Sequence, residues 1–463
     1  MKKIIIIGGG LTGLSAAYYL NKQVNQEEVD WQLFETDDHF GGKFNTVLRD
    51  GFIIEKGPDS FLARKPAGMA LVEDLGLTDQ LITNATGKSY IYHDKALHPI
   101  PEGSVMGIPT DIRALLESDL LTDDGKVRAL EELMLESNVT EADQSIGDFF
   151  EYRFGKEMVV RLIEPLLAGI YAGNIYEMSL RATFPQFENT AKQHRSLMYG
   201  LKSHRPETMN TTGTAKTIGA FRTLAGGLST LTDAIVEDLP AERLHVNTAV
   251  KCIENTTVVL ENGERIVADA IIIAATHDVV LSLLDVPAVK PLMEQPMTSL
   301  ATISLAYDQD AVPHLPEGTG FLVARTGDYH ITACTWVQEK WPHMVPDGQL
   351  LLRGFLGKAG QVGLLEQTDA EMVGHVQEDL KEMIGLEGEP LFYEVSRMKE
   401  AMPQYTVGHQ ERLETVERDL KQQHPNIFLA GMSYRGVGIP DCIQAGRTAA
   451  NEANQFVKKV SQP

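Results

Sequence analysis

The sequence predicts an α/β chain of more than one domain: a nucleotide-binding βαβ unit at its start, a helical middle, and a second, strand-rich part. Three observations carry this. Four isoleucines run into three glycines in "MKKIIIIGGGLTGLSAAYYL", and a helix pattern follows. From about 110 to 200, Leu, Ile and Val recur at helical spacing with acids between them. Residues 299–356 instead form short apolar runs, and the chain closes on a strand, a Gly-rich turn and a helix.

Composition narrows the class. At 463 residues the chain exceeds one compact core. A formal charge of −23 argues against nucleic-acid binding, which needs a basic face. Cys252, Cys334 and Cys442 are far apart and odd in number. They predict a reducing, cytoplasmic setting with no disulfide framework, and no CxxC or Cys/His cluster offers a metal site. The N-terminal lysines and short apolar run read as a strand, not a signal peptide. No apolar run approaches a membrane span.

The elements follow in order. Residues 3–7 read as a buried parallel strand. The helix after Gly13 carries Ser15, Ala16 and Ala17 where it must pack closely. "DWQLFE" (30–35) is the next strand and completes the βαβ unit. "GFIIEKGPDSF" (51–61) reads as an apolar strand ending at Gly57-Pro58-Asp59-Ser60. Helices are expected in "DIRALLESDLLTDDGKVRALEELMLE" and "SIGDFFEYRFGKEMVVRLIEPLLAGIYAG". The polar stretch 201–220 is weakly patterned and predicts a mobile loop or linker. Asn262-Gly263 predicts a hairpin within 256–276, and "AIIIAAT" a further buried strand. A helix is expected over 368–384. "NIFLAGMSYRGVGIPDCIQAGRTAANEANQFV" (426–457) predicts a strand, a Gly-rich turn and a helix.

Gly8, Gly10 and Gly13 fit GxGxxG. The first permits the tight turn, the second lets backbone approach a pyrophosphate, and the third lets helix pack on strand. The helix N-terminus offers N–H groups and a positive dipole end. Glu35 closes the second strand, where an acid accepts hydrogen bonds from a ribose. NAD and FAD share this turn. Gly41-Gly42-Lys43, the "GPDS" turn and the distant C-terminal turn together favour a resident FAD, whose extended body needs contacts along a long span. A helix starting near Pro440 would aim its N–H groups at the pyrimidine edge of the flavin, which becomes anionic on reduction.

"IIIIGGGLTGLSAAYYL", "FETDDHFGGKF", "IIEKGPDSFL", "LIEPLLAGIYAG", "ATFPQF", "ITACTWV", "AMPQYTVGH" and "AGMSYRGVGIPDCI" strongly resemble the protoporphyrinogen/coproporphyrinogen oxidase family of haem biosynthesis. The likeness is to the soluble Gram-positive, coproporphyrin-forming type, within the amine oxidase-like flavoprotein superfamily, and runs from residue 1 to about 455. It implies an α/β and α+β fold. A Rossmann-like FAD-binding domain of discontinuous segments would take 1–63, 221–290 and 395–463. A mixed-sheet substrate-binding domain would take 64–109 and 291–394. A helical lobe would take 110–220, with a mobile loop near 201–218. "HVNTAVKCI" (245–253) would be one strand passing the adenine.

The resemblance implies non-covalent FAD. Its contacts would come from Gly8, Gly9, Gly10, Leu11, Thr12 and Gly13, then Glu35, Thr36, Gly42 and Lys43. Gly57, Pro58, Asp59 and Ser60 would follow, with Val250, Met398, Gly431, Val437, Gly438 and Ile439. It implies a porphyrinogen substrate, oxidised by six electrons in three flavin cycles, with hydride passing to flavin N5 and O2 reduced to three H2O2. No side chain is assigned to catalysis. Propionates want cations near an apolar slot, and Arg64 and Lys65 are the expected ones. Leu166, Ile170, Tyr171 and Phe184 are the expected apolar walls, with core packing as the alternative for each.

Cys442 does not match a covalent flavin-attachment motif, and His98, His343 and His409 receive no catalytic role. Two departures stand out: Met398 where related enzymes place Trp, and His277 where the superfamily places Pro. The resemblance leaves room for peripheral contact with the inner face of the membrane and for product hand-off to a ferrochelatase. Three readings compete. The first is a coproporphyrinogen III oxidase, with protoporphyrinogen IX as the alternative substrate. The second is another amine oxidase-type flavoenzyme. The third is a flavin-free binding protein on this fold, as in the Rab GDP-dissociation inhibitors.

Overall fold

Alternation along the first strand decides how the nucleotide layer is built. The computed structural model describes residues 1–25, 27–203, 220–358 and 363–460. The strand Lys2–Ile7 lies at the centre of a five-stranded parallel sheet. The spatial order is Leu244–His245, Val29–Phe34, Lys2–Ile7, Ala270–Ile273, Ile427–Leu429. Ile4 and Ile6 face one side, packed with Leu14, Ala17, Ile443 and Ala450 of the first and last helices. Ile5 and Ile7 face the other, packed with Ile271, Ile273, Val280 and Leu413. Each buried isoleucine contributes about 1.5–3 kcal/mol. Burial on both faces is why this strand reads as a continuous apolar run.

The first helix, Leu11–Gln23, and the last, Ile439–Val460, pack directly on each other. Small residues permit it: a Cβ added at Gly446 would stand 2.3 Å from the carbonyl oxygen of Thr12. Two segments expected as single strands divide. Residues 245–253 split into Leu244–His245 in the parallel sheet and Val250–Glu254 in a separate antiparallel sheet with Thr257–Leu260 and Arg265–Val267. Asn247, at φ 51°, makes the turn between them. The apolar run after Gly51 is half of a hairpin, Thr46–Arg49 with Phe52–Glu55, turned through Asp50 and Gly51 at positive φ.

The second layer is a mixed seven-stranded sheet. Its order is Phe392–Pro403, Met297–Asp308, Gln349–Leu356, Ile331–Trp336, Gly320–Val323, Tyr90–His93, Ala96–Pro99. All pairs are antiparallel except Gly320–Val323 with Tyr90–His93. The strand Phe392–Pro403 runs through residue 395, so the chain leaves this sheet only at Pro403. The helix Asp369–Ile384 covers one face, opened by a capping box of Thr368 and Glu371. The helices of the middle segment form their own core around Phe149, Phe150, Leu162 and Phe187. Inside it the pair Arg153–Glu132 is fully buried at 2.9 Å. Residues 201–203 end a helix, Leu197–Ser203, and 204–218 of the expected loop lie outside the described residues.

Candidate active site

Two features mark the candidate site: a glycine cradle that follows the first parallel strand, and a cavity lined by one end of the seven-stranded sheet. In the cradle Gly8 has φ +101°, and a Cβ there would stand 2.7 Å from the Ala274 carbonyl oxygen. A Cβ on Gly13 would stand 1.8 Å from the Gly8 carbonyl oxygen, so strand and helix touch backbone to backbone. Gly10 differs. Its backbone is extended, and an added Cβ would meet no protein atom within 4 Å. The space over Gly10 is therefore open, and the helix beginning at Leu11 has no side-chain cap. Glu35 closes the floor: it accepts from Gly9 N–H at 2.5 Å and from Asp37 N–H at 2.9 Å.

Lys43 completes the donor set. It forms no ion pair among the described residues; its ammonium lies 3.3 Å from Met432 Sδ. Burial lowers its proton affinity, with Cys442 and Asp278 opposing the shift. An enclosed cation, an uncapped helix N-terminus and an open glycine cradle fit a pyrophosphate, and the Glu35 carboxylate fits the adjoining ribose. Gly431, at φ +127°, approaches the same turn from the C-terminal side, with Thr12 Oγ1 4.0 Å from its Cβ position. The chain thus brings together the expected contacts Gly8–Gly13, Glu35, Gly42, Lys43 and Gly431. Thr36 is exposed beside them.

The loop Gly57–Ser60 is held from the second sheet. Asp59 accepts from Lys340 Nζ at 2.7 Å, Trp341 Nε1 at 3.3 Å and Ser60 Oγ at 2.7 Å. Arg353 donates to the Gly57 carbonyl. Burial would raise the Asp59 carboxyl, but the charges of Lys340 and Arg353 outweigh it and hold it well below the usual range. Beneath the loop, Glu55 accepts from Leu228 N–H at 2.6 Å and Thr46 Oγ1 at 2.9 Å, and burial pushes its carboxyl up to about 7. The Asp59 carboxylate, expected to contact the cofactor, is thus engaged in tying the loop to the second sheet.

The C-terminal turn is braced from below. Tyr405 donates to the Met432 carbonyl at 2.6 Å and accepts from Gly436 N–H at 2.7 Å. His409 stacks on Tyr405 at 4.1 Å and reaches the Tyr434 carbonyl at 2.8 Å. His277 lies between Ser433 Oγ at 3.0 Å and the Gln295 carbonyl at 2.8 Å. The departure at 277 thus replaces a rigid ring with a two-sided hydrogen-bonding strut. Asp441 folds back over Gly436 and Gly438, and Lys65 bonds it at 2.5 Å.

The cavity has a volume of about 610 Å³, within the range of small-molecule sites. One wall is the helix Glu164–Tyr171 and the turn after it; the other is the end of the seven-stranded sheet, including Thr332–Thr335. Just before Glu164 the helix widens into one π turn, Val159–Ile163. Pro165 explains this: it lacks an N–H, and its ring would clash with the carbonyl four residues back. Three cations line the cavity: Arg325, Lys340 and Lys358. Glu164 is the one carboxylate among its lining residues. Burial raises Glu164, and Arg325 pulls it back in part.

The expected substrate residues separate into three groups. Leu166 and Ile170 line the cavity. Tyr171 and Phe184 do not: they meet edge to face at 6.0 Å inside the helical core, the packing alternative. Arg64 is exposed, and Lys65 is bonded to Asp441. Neither lines the cavity. Val250 pairs with Leu260 in the small antiparallel sheet, and Met398 pairs with Leu300 inside the seven-stranded sheet. Arg325, Lys340, Lys358 and Glu164 were not singled out from the sequence. Their signal is faint: each basic residue follows within two to four residues of a buried strand, where a chain usually turns to solvent.

The matching family model is described as flavin containing amine oxidoreductase and covers residues 11–454. A coproporphyrinogen III oxidase of Bacillus subtilis (strain 168) is 43% identical over 463 residues, spanning 98% of each chain. One from Staphylococcus aureus is 37% identical, spanning 97% of this chain and 98% of the other. A crystal structure from Exiguobacterium sp. 255-15, assigned to the protoporphyrinogen oxidases, superposes with a TM-score of 0.87 at 36% identity and 99% coverage of both chains. A reduced UDP-galactopyranose mutase shares the fold, with a TM-score of 0.72 at 17% identity.

Proposed function

Because the chain belongs to the flavin-containing amine oxidoreductases, we propose that it is an FAD-dependent oxidase that converts coproporphyrinogen III to coproporphyrin III. The cavity carries the reading: a slot of about 610 Å³ in which Arg325 and Lys358 are the cations for carboxylates, one wall of which is tied through Lys340 to the loop at Gly57–Ser60. Full-length similarity to coproporphyrinogen III oxidases supports the substrate. In this reading the parallel-sheet segments 1–63 and 221–290 and the C-terminal segment hold FAD. The seven-stranded sheet and the helical lobe hold the macrocycle.

When bound, FAD supplies a two-electron acceptor that O2 restores, so one macrocycle uses three O2 and yields three H2O2. The chain's own residues position and shield. Lys43 and the N–H groups after Gly10 neutralise pyrophosphate charge. The Asp59–Lys340 bond sets the distance between cofactor loop and cavity wall. The apolar faces of Leu166, Ile170 and Phe321 exclude water from the macrocycle. Glu164 can take a proton at its carboxylate as pyrrole N–H is lost, since burial raises its affinity for one.

Among the described residues no helix is long and apolar enough to cross a membrane. In this reading the enzyme works in the cytoplasm and its product passes to a ferrochelatase. The test uses the purified holoprotein. Its flavin absorbance is recorded, then coproporphyrinogen III and protoporphyrinogen IX are offered separately in air. Porphyrin fluorescence should rise faster with the first. Faster turnover of the second would reassign the substrate, and a colourless protein inert to both would overturn the reading.

A further inference from the structure

Arg325 and Lys358 form an arrangement that the protein alone leaves electrostatically incomplete. Both line the cavity. Arg325 follows the strand Gly320–Val323, and its backbone N–H donates to the Val160 carbonyl at 3.0 Å, fixing it against the π turn. Its Nη1 is buried and has no hydrogen-bond partner. Lys358 follows the strand Gln349–Leu356 and donates to the Tyr329 carbonyl. Neither forms an ion pair within 4.0 Å among the described residues. The two cations stand near enough to repel each other: burial, then Arg325, lowers the proton affinity of Lys358. Asp328 and Asp379 oppose that shift at Lys358, and Glu164 acts on Arg325.

Lys340, in contrast, is already committed to Asp59 at 2.7 Å. Two cavity-lining cations without a bonded counter-ion are costly unless a ligand completes them. The geometry points to an anion subsite, formed by Arg325 and Lys358, that binds one propionate of the macrocycle and selects a tetracarboxylate over a dicarboxylate. This rests on the proposed substrate class. A macrocycle with a propionate on every pyrrole satisfies the pair whichever edge enters. One with propionates on only two pyrroles satisfies it in some orientations and sets a vinyl group against two unpaired cations in the others.

The test reads charge recognition apart from turnover. Coproporphyrin III and its tetramethyl ester are titrated into the holoenzyme, and binding is followed by fluorescence quenching. The free acid should bind the wild type at least about tenfold more tightly than the ester, as expected for a charge-assisted, desolvated bond. In Arg325→Met and Lys358→Met that ratio should fall toward one, and Arg325→Lys should restore most of it. Flavin content and circular dichroism establish that each variant is folded. A wild-type ratio that persists in both Met variants overturns the subsite. If the wild type shows this charge-dependent ratio but oxidises no porphyrinogen, the subsite stands and the proposed function fails.

Discussion

Replacing Asp59 by Asn should uncouple the cofactor loop from the cavity wall. The Asp59 and Lys340 side chains are 19% and 14% exposed, so solvent screens the pair little. The change preserves shape and leaves an amide oxygen able to accept. What it removes is the negative charge facing Lys340 at 2.7 Å and, more distantly, Arg353. A charged hydrogen bond is worth about 1.5–3 kcal/mol, a neutral one about 0.5–1.5. Leaving a buried cation without its partner raises the cost, up to about 3–5 kcal/mol for a fully buried pair. The expectation for this nearly buried pair is about 3 kcal/mol, or a weakening of FAD affinity on the order of 100-fold if the loop must be in place for binding. The assay is FAD titration of the apoprotein, read by flavin fluorescence quenching, for Asp59→Asn, Lys340→Met and the double variant. Either single change strands the other partner, so the double variant should lose much less than the sum. Strict additivity, or an unchanged FAD affinity in Asp59→Asn, would refute the coupling.

Four further outcomes are expected. Gly10→Ala should leave the urea midpoint of the apoprotein almost unchanged but weaken FAD at least tenfold, because the added Cβ meets no protein atom. Gly13→Ala should cost about 3 kcal/mol or more in the same denaturation, since its Cβ would overlap the Gly8 carbonyl. Burial lowers the His409 imidazole from 6.5 to about 4, so the unfolded chain binds the extra proton first as pH falls. Stability from this group is present above about pH 6.5 and is lost on descent toward 4. Wild type should therefore lose about 3 kcal/mol more than His409→Gln between pH 7 and 4, and parallel urea-midpoint profiles would contradict this. Arg153→Met should destabilise the helical lobe by about 3–5 kcal/mol, as Glu132 would remain buried, bonded only to Ser196 and the Leu197 N–H. Adding Glu132→Leu should recover much of that loss in thermal unfolding.

Local and periodic features were legible in the sequence. The isoleucine run, the glycine spacing, the Asn262-Gly263 hairpin and the helix over 369–384 follow from backbone sterics and apolar alternation, which act between near neighbours. The cradle could be read because its parts are short motifs whose backbone geometry is dictated by glycine. Ionic partners were not legible. Lys65 looked free beside a flavin loop, yet Asp441 lies 376 positions away and captures it. Tyr171 and Phe184 could be read as cavity wall or as core, and packing places them in the helical core. Arg325 and Lys358 sit at the ends of two strands of one sheet, and only the strand order Gln349–Leu356, Ile331–Trp336, Gly320–Val323 brings them to one cavity. Residue type and spacing thus determined the nucleotide fold, because it depends on local geometry. Which charges are paired and which are left for a ligand depends on long-range topology, and the tertiary structure alone decided it.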